Sequence, residues 1–494
     1  MHRTVAAVAC VGALCAPGCR FDSGGTAAGD GGAAPDARPP DDAADTAPDA
    51  PPPPPPLADG DARVVYAVGA SNKLQNQRFA NAAEAWFAEP ALGPFGGRVP
   101  WIVHRIDPSG TGAEKTMTVA QTASGLATGV ASYAGGQWAA DWAVVHGLGV
   151  SSATRGFDLE FEASGDALAV YGVGTSTPAY RVWTAGQWSA ERRLPVNDGG
   201  GGPLPDINRG AVRWVELEPR PDSDEIALVY ADDRDELAVI VWTGDDWDLA
   251  TAVRLEDRLK VNPQSRIVHN RAFDVAFESL SGDVLVAWGR EGAGGFFYRV
   301  WDATHRFWSP ELTLGTVPLG TPHFVDLASD PASDLIALGL YDLGDGIERL
   351  GVAMWTGASL VDAVEIDSQI ADVDDTAQGD FPGELAFLPA AGVAVAVYPD
   401  DASGELGYAT WSPVDLGWTA GSVPLSAIGR PRSFDLAVLP GGAVALVVAS
   451  DDEGRLFAAR FDGQTWAPDA GGAPIASGLL DGPFTPFSLD VRLR

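Results

Sequence analysis

The segment FDLEFEASGDALAVYGVGTSTPAYRVWTAGQW, residues 157–188, is the clearest unit of an internal repeat. It returns in outline as FDVAFESLSGDVLVAWGREGAGGFFYRVWDATHRFW, residues 273–308, and as SFDLAVLPGGAVALVVASDDEGRLFAARFDGQTW, residues 433–466. In each copy, alternating apolar residues stop at a glycine-containing turn, resume, turn again, and run on to Trp or Phe. A short further segment starts at a second aromatic residue. Period-two alternation broken by such turns predicts four short antiparallel strands per unit.

The repeat extends over most of the chain when the aromatic residue of the third strand is used as its marker. Consecutive markers lie 50 to 59 residues apart. Six units are clear and two more, at Phe79 and Tyr133, complete the series. The markers are Phe79, Tyr133, Trp183, Trp242, Trp301, Trp355, Trp411 and Phe461.

Four-stranded units at a period of roughly 40 to 55 residues are typical of β-propeller blades. We therefore predict an all-β fold, a single β-propeller of eight blades, with seven blades as the alternative. Residues 63–69 form a second strand with no first strand before it, and PFSLDVRLR, residues 486–494, forms a first strand with nothing after it. Pairing the C-terminal strand with the first blade would close the ring and remove open sheet edges. Tandem β-sandwiches are the main rival, but they would not require complementary ends.

The N-terminal segment has the layout of a secretory signal peptide. Residues 1–3 are a short basic start, and residues 4–16 are small or apolar. This run is shorter than the roughly 20 residues that a transmembrane helix needs. The string LCAPGC, which ends at Cys19, resembles the lipobox of bacterial lipoproteins, and the resemblance implies acylation of Cys19. Ala16 and Pro17 depart from the residues that the family prefers, so an ordinary secretory signal is the alternative.

The composition divides the chain into three parts. We predict a lipoprotein-type signal peptide at 1–19, a disordered linker rich in Ala, Asp, Pro and Gly at 20–60, and the propeller at 61–494. The linker contains almost nothing to bury, so it cannot offset the entropy of ordering. The predicted localisation is therefore the bacterial cell envelope, at the outer membrane, in the periplasm or exposed at the surface, through an acyl anchor in the bilayer.

Charge and cysteine content exclude several classes of function. Lys and Arg total 32 against 67 Asp and Glu, a net charge of −35. Such a field repels phosphate backbones, so nucleic acid is not an expected partner. The cysteines, Cys10, Cys15 and Cys19, all precede the predicted propeller, which therefore has no disulfide and no thiolate metal site.

The paired aromatics, such as Trp183 with Trp188 or Phe461 with Trp466 in FDGQTW, resemble strand ends in sialidase-like and fucose-lectin-like propellers. The resemblance covers about six residues per blade and implies a carbohydrate-binding propeller. No unit has the Ser-x-Asp-x-Gly-x-x-Trp spacing of sialidase Asp-box turns, so no catalytic residue is carried over. Packing between blades is the favoured role of these aromatics.

Basic residues precede the first strand of most units and form the candidate binding site. Side chains that enter the innermost strands from several blades would converge at one mouth of a propeller channel. Arginine forks pair with carboxylate, sulfate or phosphate, so the hypothesis is an anion site suited to an acidic sugar. The candidates are Arg98, Arg155, Arg209, Arg271, His323 and Arg432.

The competing interpretation is that each basic residue pairs with an acidic neighbour, since interior charges are usually paired. Four of the candidates have an aspartate three residues later in the sequence: Asp158, Asp274, Asp326 and Asp435. If every guanidinium is capped in this way, an anion site is ruled out.

The remaining motifs predict no metal and no cofactor. Acidic pairs recur between second and third strands, as at Asp232 with Asp233 and Asp451 with Asp452, and we interpret them as solvated hairpin tips. No nucleophile elbow, zinc motif or phosphate loop is present, and the histidines are scattered. Paired carboxylates for glycoside hydrolysis stay open, because 67 acidic residues allow many combinations.

The sequence thus favours a membrane-tethered extracytoplasmic propeller that binds or scaffolds, with a glycan or a protein as ligand. The alternative is a secreted carbohydrate-active enzyme, a hydrolase or lyase that acts on an acidic sugar. Carboxylates beside the arginines in an open pocket would favour the enzyme. A filled or sealed channel would favour the scaffold.

Overall fold

The computed structural model describes residues 57–492 with internal gaps. Two features predicted from the sequence, the signal peptide at 1–19 with Cys19 and almost all of the linker at 20–60, lie outside the described residues. In the described part, helix is limited to the 3₁₀ turns Asn81–Ala83 and Asp469–Gly472, and no helix there is long and apolar enough to cross a membrane. The gaps are 70, 72, 94, 96, 123–124, 135–136, 147–153, 198–204, 206, 208, 261–270, 293, 314–319, 345–346, 371–381, 401–403, 415–416, 426–427 and 481–486.

The strands form eight antiparallel sheets, numbered here as blades 1 to 8. Blade 1 contains β1 (Ala62–Ala67), β2 (Leu74–Ala80) and β3 (Ala85–Leu92). Blade 2 contains β4 (Arg98–Ile106), β5 (Glu114–Thr122), β6 (Gly125–Ala134) and β7 (Gln137–His146). Blade 3 contains β8 (Phe157–Phe161), β9 (Ala167–Tyr171), β10 (Ala179–Thr184), β11 (Gln187–Trp188) and β12 (Arg192–Arg193). Blade 4 contains β13 (Val212–Pro219), β14 (Ile226–Asp232), β15 (Leu237–Trp242) and β16 (Trp247–Glu256).

The second half of the chain repeats this arrangement. Blade 5 contains β17 (Phe273–Phe277), β18 (Val284–Gly289), β19 (Phe296–Asp302), β20 (Phe307–Trp308) and β21 (Leu312–Thr313). Blade 6 contains β22 (Phe324–Ser329), β23 (Ile336–Gly344), β24 (Ile347–Trp355) and β25 (Leu360–Asp367). Blade 7 contains β26 (Glu384–Leu388), β27 (Val393–Asp400), β28 (Glu405–Ser412) and β29 (Gly417–Ser422). Blade 8 contains β30 (Pro431–Val438), β31 (Ala445–Asp451), β32 (Arg455–Phe461), β33 (Trp466–Pro468) and β34 (Ala476–Ser477), and the last strand of the chain is β35 (Phe487–Val491).

The two chain ends meet in blade 1 and close the ring. Strand β35 pairs antiparallel with β1, in the register Val64↔Leu489, and is the innermost strand of a sheet ordered β3-β2-β1-β35. Each innermost strand contacts that of the next blade, from β35 and β4 round to β30 and back to β35. The predicted eight-bladed propeller and its closure are confirmed, and the seven-bladed and tandem-sandwich alternatives are excluded.

All eight aromatic markers occupy the same place in their blades. Each lies on the third strand and faces a residue of the outermost strand, as Trp242 faces Trp247 with ring centroids 5.3 Å apart. The other cross-strand partners are Phe79↔Trp86, Tyr133↔Trp138, Trp183↔Trp188, Trp301↔Trp308, Trp355↔Leu360, Trp411↔Trp418 and Phe461↔Trp466. Trp242 and Trp247 are buried in a cluster that joins blades 3 and 4. These aromatic residues therefore pack between neighbouring blades.

Two of the acidic turns are buried rather than solvated, so that interpretation was wrong for them. Asp232 and Asp451 are almost inaccessible to solvent. Asp232 accepts hydrogen bonds from the backbone N–H groups of Gly210 and Glu236, at 2.6 and 3.0 Å. Asp451 accepts from the backbone N–H of Arg455 at 2.9 Å. These carboxylates stabilise the turn, and in blade 4 they also fix the segment that enters the innermost strand.

Some tryptophans also link neighbouring blades through buried glutamates. Trp242 Nε1 donates to Glu162 Oε1 of blade 3 at 2.7 Å, and Trp355 Nε1 donates to Glu278 Oε1 of blade 5 at 2.8 Å. Burial raises the pKa of Glu162 to about 7, although the hydrogen bond from Trp242 opposes this shift. Ionising Glu162 therefore costs stability in the folded protein.

We expect Glu162→Gln to stabilise the protein at high pH and to leave it unchanged at low pH. Glutamine keeps an oxygen acceptor for Trp242 and removes the titration. Because the folded pKa is raised, wild type has its full stability below about pH 4.5 and loses part of it as pH rises through about 7. With solvent screening, the variant should gain about 1–2 kcal/mol at pH 8. Urea unfolding at pH 4.5 and pH 8 measures this, with the exposed Glu453→Gln as control; a pH-independent difference would contradict it.

Candidate functional site

The innermost strands of the eight blades surround a cavity of about 940 Å³. Its walls come from β4, β8, β13, β17, β22, β26, β30 and β35. One end reaches the turns that follow these strands, where Pro108, Pro221 and Pro440 lie. Drug-sized and cofactor sites have volumes of about 300–1,000 Å³, so the cavity is large enough for a small ligand. The channel is neither filled nor sealed.

Charged and aromatic side chains alternate along the cavity wall. The innermost strands place every second residue toward the channel, as with Glu216 and Glu218 of β13. Among the described residues, nine acidic side chains and four arginines line the cavity, so its formal charge is negative. The acidic residues are Glu160, Glu216, Glu218, Asp222, Asp274, Asp326, Glu384, Asp435 and Asp490; the arginines are Arg105, Arg155, Arg220 and Arg271; the aromatics are Trp101, Phe161, Trp214, Phe324, Phe387, Phe434 and Phe487.

Arg271 is the centre of the main ion-pair network. Its guanidinium lies 2.8 Å from Glu216, 3.2 Å from Asp274 and 3.0 Å from Asp326, which belong to blades 4, 5 and 6. Only 9% of the side chain is exposed. Arg155 forms a second ion pair with Glu216. Burial alone would raise the pKa of Glu216, but the two arginines lower it to about 2.

Arg105, on β4 of blade 2, forms a separate ion pair in the channel. Its guanidinium pairs closely with Glu160 of the neighbouring blade. Burial nevertheless raises the pKa of Glu160 to about 8, helped by the negative charge of Asp158 and opposed by Arg105. Burial also raises the pKa of Asp490 to about 6, again against the effect of Arg105. The channel therefore contains carboxyl groups with widely separated affinities for protons.

Five of the first-strand aspartates bind backbone rather than ligand. Each accepts a hydrogen bond from a backbone N–H on the innermost strand of the next blade, and so fixes the spacing between the two strands. The pairs are Asp158 with Leu217 at 2.9 Å, Asp274 with Leu327 at 2.8 Å, Asp326 with Leu385 at 2.6 Å, Asp435 with Leu489 at 2.8 Å and Asp490 with Ile106 at 2.6 Å. These carboxylates are primarily structural.

One glutamate of the cavity wall, Glu218, keeps its carboxyl oxygens unpaired, whereas Glu384 does not. The half-buried Glu218 carboxyl makes no hydrogen bond or ion pair with any described residue. Burial and the nearby charges of Asp274 and Glu160 raise its pKa well above the usual range. Burial raises the pKa of Glu384 well above the usual range, and its carboxyl group hydrogen-bonds with the side chain of Asp435 and the backbone of Leu436. Glu218 is therefore the carboxyl group that a ligand would find available.

The six basic residues predicted from the sequence do not form one ring. Arg155 and Arg271 line the cavity, and both pair with the aspartate three residues ahead, at 3.5 and 3.2 Å. Arg209 pairs with Glu236 at the turn of its own blade, where 46% of its side chain is exposed. His323 Nδ1 lies 3.2 Å from Asp342 Oδ1. Arg98 and Arg432, at the starts of β4 and β30, also lie outside the cavity lining.

The sequence reasoning missed the residues that dominate the cavity, Arg105, Glu160, Glu216, Glu218 and Glu384. A signal was present in the repeat itself. The strings FDLEF, residues 157–161, and VELE, residues 215–218, carry acidic residues at alternate positions of an otherwise apolar first strand. Alternate positions face the same side, which in an innermost strand is the channel.

Within the described ranges, no group of three or more His, Cys, Asp or Glu residues could hold a metal ion. The carboxylates of the channel are separated by arginines and engaged by backbone N–H groups. The groups that line the cavity can take part in hydrogen bonding, charge pairing and proton transfer.

Comparisons with known proteins support the fold. No protein-family model matches the chain. The BP39L lectin from Burkholderia pseudomallei superposes with a TM-score of 0.51 at 12% identity, covering 76% of this chain and 98% of the lectin. A protein from Lactobacillus plantarum gives a TM-score of 0.46 at 10% identity, covering 87% of this chain and 98% of its own. The chain is thus an eight-bladed β-propeller with a lectin among its structural neighbours.

The sequence comparison gives a different and narrower similarity. Acireductone dioxygenase from Citrobacter koseri is 28% identical over 154 residues, which is 31% of this chain and 77% of the dioxygenase. The match spans less than a third of a chain whose blades extend from β1 to β35. It therefore does not describe the propeller as a whole.

Proposed function

We propose that the protein is a carbohydrate-binding β-propeller, exported and tethered to a membrane, whose ligand occupies the channel cavity. The observation that carries this proposal is the open cavity of about 940 Å³ with carboxylate acceptors and aromatic walls. Sugar hydroxyls donate hydrogen bonds to carboxylates, and the apolar faces of sugar rings pack on aromatic side chains. The predicted lipid anchor at Cys19 and the linker would hold this site away from the bilayer.

The ion pairs of the cavity arginines do not favour an acidic sugar, which the sequence suggested as a ligand. All four arginines of the cavity lining pair with carboxylates, including Arg220 with Glu225 at 2.6 Å. An anionic ligand would have to break these ion pairs to reach the guanidinium groups. We therefore propose a ligand that carries no carboxylate group.

We expect Ala163→Trp to remove glycan binding while the protein stays folded. Ala163 lines the cavity at the turn after β8, so an indole there would occupy ligand space. A glycan array probed with the whole protein identifies ligands, and calorimetry then compares wild type and variant, with a loss of at least about tenfold in affinity expected. Ala190→Trp, on the exposed outer part of the same blade, is the matched control. Undiminished binding by Ala163→Trp would place the site elsewhere, and no glycan binding by wild type would overturn the proposal.

Glycoside hydrolysis in the same cavity is a second candidate function. The observation that favours it is the separation of proton affinities between Glu216, with a pKa of about 2, and Glu218, with a pKa raised well above its usual range. Enzymes assign acid and base roles in this way. Glu218 would protonate the glycosidic oxygen as the bond breaks, and an ionised carboxylate would take a proton from the attacking water. Product formation from any glycan that the array identifies would establish turnover.

A further inference from the structure

A second group of buried charges lies outside the channel, between blades 1 and 2. Its centre is Arg63 on β1, whose side chain is only 1% exposed. The guanidinium pairs with Glu89 of its own blade and lies 2.5 Å from Glu114 Oε2 of blade 2. It also donates to Asn76 Oδ1 at 2.5 Å. One cation therefore serves two buried carboxyl groups.

The charges of this group do not balance. Arg78 on β2 pairs with Asp61 at 2.5 Å and reaches Glu89 only at 4.0 Å. Two guanidinium groups thus stand against the buried carboxyl groups of Asp61, Glu89 and Glu114. With all three ionised, one negative charge would lack a cation in a region that water hardly reaches, which is costly. A proton on one of the carboxyl groups removes that cost.

Glu114 is the carboxyl group that holds this proton. Burial raises its pKa to about 7, against the effect of Arg63 and helped by the negative charges of Glu89 and Asp490. The charged and titratable groups that face Glu114 come from five strands of the two blades. They are Arg63 from β1, Glu89 from β3, His104 from β4, Tyr133 from β6 and Asp490 from β35.

The imidazole beside Glu114 supplies no positive charge. His104 on β4 is fully buried, and its Nε2 lies 3.6 Å from Glu114 Oε2. Its Nδ1 lies 3.0 Å from Thr116 Oγ1. Burial and the charges of Arg63 and Arg105 hold the pKa of His104 well below its usual range. The proton at this contact therefore belongs to Glu114, and ionising Glu114 leaves Arg63 between two carboxylates.

This group of charges lies beside the strand that closes the ring. Arg63 on β1 is directly opposite Asp490 on β35. On the other side of β35, the backbone N–H of His104 donates to Ser488 Oγ at 3.1 Å, and the backbone N–H of Ile106 donates to Asp490 Oδ2 at 2.6 Å. The closing strand thus lies between β1 and β4, the two strands that the Arg63 ion pairs connect through β5. Weakening these ion pairs would loosen β35 on both sides.

We propose that the interface between blades 1 and 2 is a pH-sensitive closure of the ring, in which the proton of Glu114 keeps β35 bound to blade 2. Loss of that proton places a second carboxylate beside Arg63 and favours local opening of β35, β1 and β4. Opening exposes Glu114 to water, where its carboxylate is stable, so opening and proton release are linked. Because β35 forms part of the cavity wall, the opening also disrupts the channel, whatever ligand the channel binds.

Hydrogen exchange of the whole protein, followed by mass spectrometry between pH 5 and pH 8.5, tests this closure. Protection factors correct for the pH dependence of chemical exchange and are compared for the amides of β35, β1 and β4. Because the folded pKa of Glu114 is raised, the closure is strongest at about pH 4.5 and weakens as pH rises through about 7. We expect protection of these strands to fall at least about tenfold between pH 5 and pH 8 and then to level off.

Glu114→Gln is the decisive variant, because glutamine keeps an oxygen acceptor for Arg63 and cannot ionise. Protection of β35, β1 and β4 should then stay constant from pH 5 to pH 8. Glu162→Gln is the matched control, since it removes a buried glutamate of similar pKa, about 7, from the interface between blades 3 and 4. It should leave the pH dependence of β35 as it is in wild type.

The wild-type profile alone can overturn the proposal, so the test does not depend on the folding of a variant. Constant protection of β35 would do so. A rise of protection with pH would do so as well, because it would mean that an ionised Glu114 stabilises the closure through Arg63. A fall that persists in Glu114→Gln would assign the pH dependence to other groups. A fall that Glu114→Gln relieves equally in β17, β18 and β19 would assign it to unfolding of the whole ring, and either result overturns the local closure.

Discussion

Replacing Arg271 by alanine should lower the free energy of unfolding by about 3–5 kcal/mol at neutral pH. The guanidinium compensates Glu216, Asp274 and Asp326 from three blades and donates to the carbonyl oxygen of Val325 at 3.1 Å. Without it, several carboxylates stay in the channel with too little positive charge. Chemical denaturation of the variant and wild type measures the loss.

The pH dependence identifies the cause of that loss. Because the folded pKa of Glu216 is lowered to about 2, its ion pairs stabilise the protein above about pH 4.5 and cease to do so as pH falls toward 2. The difference between Arg271→Ala and wild type should therefore shrink on acidification. Arg209→Ala, which removes an exposed arginine paired with Glu236, is the control and should unfold close to wild type. A pH-independent loss would point to lost packing against Phe324 instead.

The fold was predictable because its signals are local and repeated. Trp183, Trp242 and Trp301 recur at a nearly constant spacing, and each marks the same position of a four-stranded unit. The closure was predictable for a related reason. A lone first strand at the C-terminus, now β35, and a lone second strand at the N-terminus, now β1, are complementary only if the array is circular.

The cavity was harder to predict because its contacts join blades that are far apart in sequence. Arg155 pairs with Glu216, 61 residues away, and Arg271 pairs with Asp326, 55 residues away. Neighbouring charges such as Asp158 and Asp274 could be named from spacing alone, and both do pair with their arginines. Arg209 lies at a turn, whereas Arg271 lies in the channel. This difference depends on where each backbone segment enters its blade, and no short sequence motif indicates it.

The acidic residues of the innermost strands have two separable roles. Aspartates such as Asp326 and Asp490 reach one blade forward and bind backbone N–H groups, and this role explains why a strand at the centre of an apolar fold carries charge. Glutamates such as Glu218 are longer and reach into the cavity. Substitutions at the aspartates should therefore affect stability first, and substitutions at Glu218 should affect binding first.

Removing the last strand should abolish the cooperative folding of the propeller. A chain that ends at Pro486 lacks β35, which buries Phe487, Leu489 and Val491 almost completely. At about 1.5–3 kcal/mol for each large apolar side chain, the loss is comparable to the whole stability of a typical domain. Thermal and urea unfolding, together with size-exclusion chromatography, should show a non-cooperative or aggregated protein with the edge of β1 exposed.

A synthetic peptide of residues 484–494 supplies the matched control. Added in trans, it should pair with β1 in the native register, Val64↔Leu489, and restore cooperative unfolding, because the ring then regains its eighth innermost strand. The same peptide with Leu489→Asp should fail, since it would place a charge where Leu489 is buried between blades 8 and 1. If the truncated chain instead unfolds like wild type without any peptide, the closure by β35 does not stabilise the ring, and the stability of the propeller must reside in the seven blades that are continuous in sequence.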